Sequence, residues 1–291
     1  MGKTNRNRGS WKRAAAVLLA LLLLSTAGVA FAGNTDRVVT LGADLNPGQK
    51  QEMLDFFGVE EDGVVILEIT NEEEYLYLQA IAGRDVIGTR AISSVFLELR
   101  PPGEGLEVET HNITWVTKEM YAAALVTAGV NDVRIVAAAP FPVSGTAALT
   151  GVVKAFEEAT GEELGEENKK VAHEELLVLR SLAEEIMDSE LTTELIQRAK
   201  EEILENRPLD YEEIKDLLRR LSREQGIDLS EEQISQLARF LEQFNELDID
   251  LDQLKKQIRH FAEDPANRSL VARILELITE LLQLIIRLLR G

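Results

Sequence analysis

The chain has 291 residues, no cysteine, and 51 acidic against 31 basic side chains, a formal net charge of −20 at pH 7. That length carries two ordinary domains, each able to bury its own core. The lack of cysteine excludes disulfides, thiol nucleophiles, thiolate metal sites and lipid modification on sulfur, and the acidic balance argues against nucleic acid as a partner, because it repels phosphate backbones.

Every charged residue among the first 32 is basic: Lys3, Arg6, Arg8, Lys12 and Arg13. They precede the apolar run "AAAVLLALLLL" (14–24), and "STAGVAFA" follows, in which Ala30-Phe31-Ala32 fits a signal peptidase site. The expectation is an export signal over residues 1–32, cleaved near Ala32, and hence a secreted or cell-surface protein. Without it 26 basic side chains face 51 acidic ones, a formal charge of −25. The alternative is an uncleaved anchor, since residues 14–32 carry no charge and nearly span a bilayer. Membrane contact is expected only through this segment, if it is retained.

The mature chain divides near residue 165. Up to that point β-branched runs alternate with helical stretches; beyond it no strand pattern is convincing, so the sequence predicts an α/β domain with a mixed sheet (33–165) followed by an all-α helical bundle domain (166–291). Strands are expected at about 37–41, 64–69, 91–99, 106–114 and 132–139, and helices at about 47–57, 72–82, 117–128 and 146–159. "NPGQKQEMLDFFGV" and "TKEMYAAALVTAGV" both read as a capped helix ending in Gly-Val, with Gly58 and Gly129 suited to the left-handed position that closes a helix. After each comes a strand and then another helix, begun by Asn71 or Ser144. Two βαβα units result, either a duplication or a coincidence of pattern.

In open α/β sheets ligands bind beyond the carboxyl ends of the strands. The βα loops here are "LGADLN", "ITNE", "NITWVT" and "APFPVSGT". If the strands are parallel, Asp44, Asn71, Asn112, Thr114, Ser144, Gly145 and Thr146 gather on one edge as candidate binding residues. Free N–H groups at the start of the helix after Ser144 could receive a carboxylate or phosphate. The competing reading has Ser144 capping its own helix; with no P-loop lysine and no GxGxxG, sequence alone favours the cap.

The same residues carry a resemblance. "LGADL", "IGTRAISSVFLEL", "NIT", "AALVTAGV" and above all "AAPFPVSGTAALTG" resemble the YpuA-like predicted secreted proteins of Firmicutes, a family catalogued as domain of unknown function 1002. The match covers about residues 37–190. It implies export and a shared fold, and it carries no activity, substrate or catalytic residue.

Catalytic chemistry has little to stand on. The three histidines, His111, His173 and His260, are far apart in sequence, no HExxH or similar spacing is present, and GxSxG is absent around Ser144. Glu72, Glu73 and Glu74 fit the first turn of a helix, where they favour its positive end. An EF-hand reading of "DIDLDQLKKQIR" (248–259) fails, because Gln253 and Arg259 stand where Gly and Glu are needed; Asp250 reads as a helix cap. No cofactor and no metal are expected.

Farther on, Asp210 with Glu213 and Ser230 with Gln233 are capping-box pairs, and Ile234, Leu237, Leu241 and Phe244 recur at helical spacing. Five or six helices make the bundle. The last, Leu270 to Leu289, is aliphatic except for one narrow polar stripe and Thr279, so it is either the centre of the bundle, a surface for self-association or an interfacial membrane contact. The reading that results is an exported envelope protein that binds an anionic group at the βα-loop edge without covalent chemistry, with a homo-oligomer or protein partner at the helical domain. The alternatives are a hydrolase or transferase on an envelope polymer, using Asp44 and His111, and a self-associating scaffold.

Overall fold

The computed structural model describes residues 36–78, 88–207, 209–249 and 254–255. The export segment, residues 79–82 of the expected second helix, the Asp250 cap and the last helix lie outside them. Strands β1 (Arg37–Gly42), β2 (Val65–Ile69), β3 (Ser94–Leu99), β4 (Leu106–Ile113) and β5 (Val133–Val143) form one mixed sheet in the order β2-β1-β3-β5-β4. β1 is parallel to β2 and β4 to β5, while β3 is antiparallel to both β1 and β5. The four strands that feed helices therefore point the same way, and their carboxyl ends share one edge.

Alternation along the strands sorts the two faces. Val38, Val95, Leu97, Ile135 and Ala137 face one layer; Val39, Leu41, Phe96, Val136 and Ala138 face the other. Helix α1 (Pro47–Phe57) covers the second face through Met53 and Leu54. Helices α2 (Asn71–Leu78), α3 (Lys118–Ala128) and α4 (Thr146–Thr160) follow in the chain, and α3 and α4 pack on the first face. α4 lies close enough to the sheet that a Cβ on Gly151 would meet Thr40 Oγ1 at 2.6 Å.

Local signals set most of the helix ends. α1 has a capping box between Asn46 and Gln49 and closes at Gly58 with φ 67°; α3 starts where Thr117 accepts from the Met120 N–H and closes at Gly129 with φ 92°. Two caps differ from expectation. Thr70, not Asn71, caps α2, because Thr70 and Glu73 bond reciprocally in a capping box,. At α4 the capping position is Gly145, which has no side chain to use, and Ser144 Oγ lies 3.4 Å from Thr146 Oγ1 instead. The two βαβα units form but are not copies of one three-dimensional unit. α1 and α3 lie on opposite faces, and the edge strand is the second of the first pair but the first of the second.

Helices α5 (Glu166–Ile186), α6 (Ser189–Asn206), α7 (Tyr211–Gln225) and α8 (Glu231–Glu246) make the all-α bundle. The Asp210–Glu213 and Ser230–Gln233 boxes are both present. Ile234, Leu237, Leu241 and Phe244 are buried as one stripe, and a single apolar cluster runs from the sheet through Leu125 of α3 and Leu176 of α5 to Phe240 of α8. Inside that cluster Lys200 of α6 and Glu175 of α5 are both fully buried, with Nζ 2.8 Å from Oε1. Nζ also reaches Thr127 Oγ1 at 2.8 Å and the Ala123 carbonyl at 3.2 Å, so every ammonium proton has an acceptor. Burial pushes Glu175 up and Lys200 down, against the attraction of each for the other,. No described helix is long and apolar enough to cross a membrane.

Candidate functional site

At the carboxyl-end edge of the sheet a cleft of about 260 Å³ opens between residues 89–93 and 141–147. Arg90, Ser93, Ser144, Gly145 and Thr146 supply its polar lining, with Ile92 and Phe141 among the apolar residues. Its floor includes the start of α4, whose first turn has no side-chain cap. The first N–H groups of a helix have no acceptor within it, and the helix dipole adds partial positive charge there.

Gly145 builds this turn. It holds φ at +97°, and a Cβ added there would sit 2.4 Å from Ile113 Cγ2 and 2.6 Å from Tyr121 Oη. Conformation and space both require glycine. The buried Tyr121 hydroxyl donates to the Gly145 carbonyl, so α3 fixes the entry of α4. The Val116 N–H donates to the Ser144 carbonyl at 3.1 Å, which ties down the residue before.

The seven candidate residues divide into two groups. Three spend their side chains on the scaffold. Asp44 Oδ2 accepts from the Ala91 N–H at 2.8 Å and so anchors the segment that carries Arg90. Asn112, at a β-bulge with φ 57°, donates to the Ala139 carbonyl at 2.9 Å. The Thr114 hydroxyl donates to the Val143 carbonyl at 3.0 Å. Of the other four, Ser144, Gly145 and Thr146 line the cleft, while Asn71 and Thr146 meet a residue that the sequence hides, Glu74.

Glu74 is 1% exposed. Its Oε2 accepts from Asn71 Nδ2 at 3.4 Å, and Thr146 stands beside the carboxyl and, with Asn71, favours its ionised form. Among the described residues Oε1 has no hydrogen-bond partner. Burial pushes this carboxyl up to about 7, against the pull of Asn71 and Thr146,. In sequence Glu74 looks like its neighbours, two other acids in the first turn of α2. Glu73, by contrast, is partly exposed and paired with Lys154 of α4 at 2.6 Å. Arg90 was also missed, because it lies in the stretch joining the two βαβα units.

The histidines stand apart. His111 is exposed and stacks on Phe56 with ring centroids 4.5 Å apart; no hydrogen bond or ion pair among the described residues joins it to Asp44, whose carboxylate accepts from the Ala91 N–H. His173 is fully buried. Its Nδ1 lies 2.7 Å from the Lys169 carbonyl and its Nε2 2.9 Å from Thr150 Oγ1. A carbonyl can only accept, so Nδ1 carries the proton and Nε2 takes the threonine hydrogen. Burial pushes this imidazole down to about 4 and keeps it neutral. His260 lies outside the described residues, among which no group of three or more His, Asp and Glu could hold a metal.

Such an edge can hold an anion through main-chain N–H groups, a serine hydroxyl and a guanidinium.

The chain is similar to known proteins over most of its length. A family model described as proteins of unknown function, DUF1002, matches residues 41–261. "Uncharacterized protein YpuA" of Bacillus subtilis (strain 168) is 38% identical over 271 residues, which cover 90% of this chain and 92% of that protein. No solved structure matches.

Proposed function

The chain belongs to the DUF1002 family of proteins of unknown function, and from that premise we propose that it is an exported binding module that holds an anionic group of an envelope component in the cleft at the start of α4. The observation that carries this reading is the uncapped first turn of α4 opening into a cleft that Arg90 lines. Arg90 makes no ion pair among the described residues, so its charge is available to a ligand. Ser144 adds a hydroxyl, and Gly145 sets the turn that presents the first N–H groups of α4,. Export rests on the basic, apolar and small-residue pattern of residues 1–32.

Sulfate is the simplest probe. Titrated into the purified protein, it should shift the amide resonances of Gly145, Thr146 and Ala147, and Arg90→Ala should weaken the binding about tenfold through loss of a charge-assisted contact. Arg90 is exposed, so stability should change by no more than about 0.5 kcal/mol. Unmoved resonances at this turn up to high sulfate concentration would remove the site.

A further inference from the structure

Resting on that anion site, we propose that Glu74 is its proton-sensitive gate: the cleft accepts an anion when Glu74 carries a proton and resists one when Glu74 is ionised. The α4 turn is one positive end placed between two acceptors of negative charge, a ligand in the cleft and the carboxyl beneath it. Thr146 belongs to both, since it lines the cleft and stands beside the Glu74 carboxyl.

Among the described residues no cation bonds or pairs with Glu74. On its own helix, Glu73 is turned to Lys154, which also bonds the Glu68 carbonyl at 2.8 Å. From α3 the facing group is the Tyr121 hydroxyl, which donates to the Gly145 carbonyl rather than to the carboxylate. From α5 come His173, neutral and engaged at both nitrogens, and Lys169, paired with Glu157 at 3.1 Å and Glu166 at 2.6 Å. Among the described residues an ionised Glu74 is left with the Asn71 amide on one oxygen, Thr146 beside it, and no partner on the other oxygen. A bare negative charge buried there repels a second one at the same helix end, and burial makes the repulsion stronger than it would be in water. Protonation removes it. Linkage then requires the converse, that a bound anion raises the proton affinity of Glu74.

Sulfate, whose charge is constant from pH 6 to 8.5, separates this from titration of the ligand; inorganic phosphate would not. Its dissociation constant for the wild-type protein should rise about tenfold between pH 6 and pH 8.5, within the usual range of coupling between sites. Glu74→Gln, which keeps the shape of the protonated acid, should bind at every pH as tightly as wild type does at pH 6. Calorimetry of the unmutated protein at pH 7 in two buffers of different ionisation enthalpy should show net proton uptake on binding, a readout that does not depend on the variant folding. Sulfate binding with equal affinity at both pH values and no proton uptake overturns the gate and leaves the anion site standing. Failure of sulfate to bind at any pH overturns the site and the gate together.

Discussion

Two glutamates are buried in this molecule in opposite ways. At the junction of α3, α5 and α6, Glu175 meets Lys200, and Thr127 donates to its second oxygen. At the edge of the sheet, Glu74 meets no cation among the described residues and keeps one oxygen unpartnered. Both sites exclude water, yet only the first resolves the charge it excludes. A buried pair with complete hydrogen bonding holds its elements in one arrangement, whereas a buried acid without a cation is held near its own titration point and responds to whatever charge arrives. The bundle junction reads as a fastening, the sheet edge as a sensor.

The largest expected effect comes from making the first site resemble the second. Lys200→Met leaves Glu175 buried without its cation, and the cost should be about 3–5 kcal/mol in denaturant unfolding. Adding Glu175→Leu should recover much of that loss, since removing both charges is far less costly than stranding one. A single substitution that costs under about 1 kcal/mol would break the contrast.

Next in size is Gly145→Ala. It demands a left-handed residue with a side chain and drives a methyl group into Ile113 and Tyr121, so a loss of about 2 kcal/mol is expected. Tyr121→Phe should relieve part of the crowding at the price of its hydrogen bond to Gly145.

The smallest effect sharpens the contrast from the side of Glu74. Its folded value, about 7, lies above the ordinary carboxylate value of 4.5. Its contribution is therefore full below about pH 4.5 and is lost as pH rises through 7. Glu74→Gln should be more stable than wild type at pH 8.5 by about 1–2 kcal/mol and gain nothing at pH 5. The comparison has an acid-side limit, because His173 is depressed to about 4. Its contribution is full above pH 6.5 and is lost as pH falls toward 4 in both proteins.

Most of the scaffold is legible in the sequence because its determinants are local. Short β-branched and apolar runs mark β1 and β3, and a cap followed by Gly marks α1 and α3. Strand order is not local, and with it goes the convergence of Asn71, Ser144 and Thr146, which depends on β3 running between two parallel pairs. Glu74 stays hidden because the Glu72-Glu73-Glu74 run has one composition and three environments. The junction left a clearer trace: Lys200 falls beside the Ile196, Ala199 and Ile203 stripe of α6, and Glu175 beside the Ala172, Leu176 and Leu179 stripe of α5. A charge at apolar spacing on each of two successive helices is the pattern of a buried pair.

The place of β3 also bears on incomplete chains. β1 and β5 do not touch; all the hydrogen bonds between the two parallel pairs pass through Ser94–Leu99. A polypeptide that ends anywhere between Leu99 and Val133 therefore carries a strand with one edge satisfied by β1 and the other bare, and the faces of that strand carry Val95, Phe96 and Leu97, all buried in the finished sheet. Such a truncated product is a template for pairing with its own kind. Aggregation of shortened forms should begin with the loss of β5 and cease when translation has passed Val143.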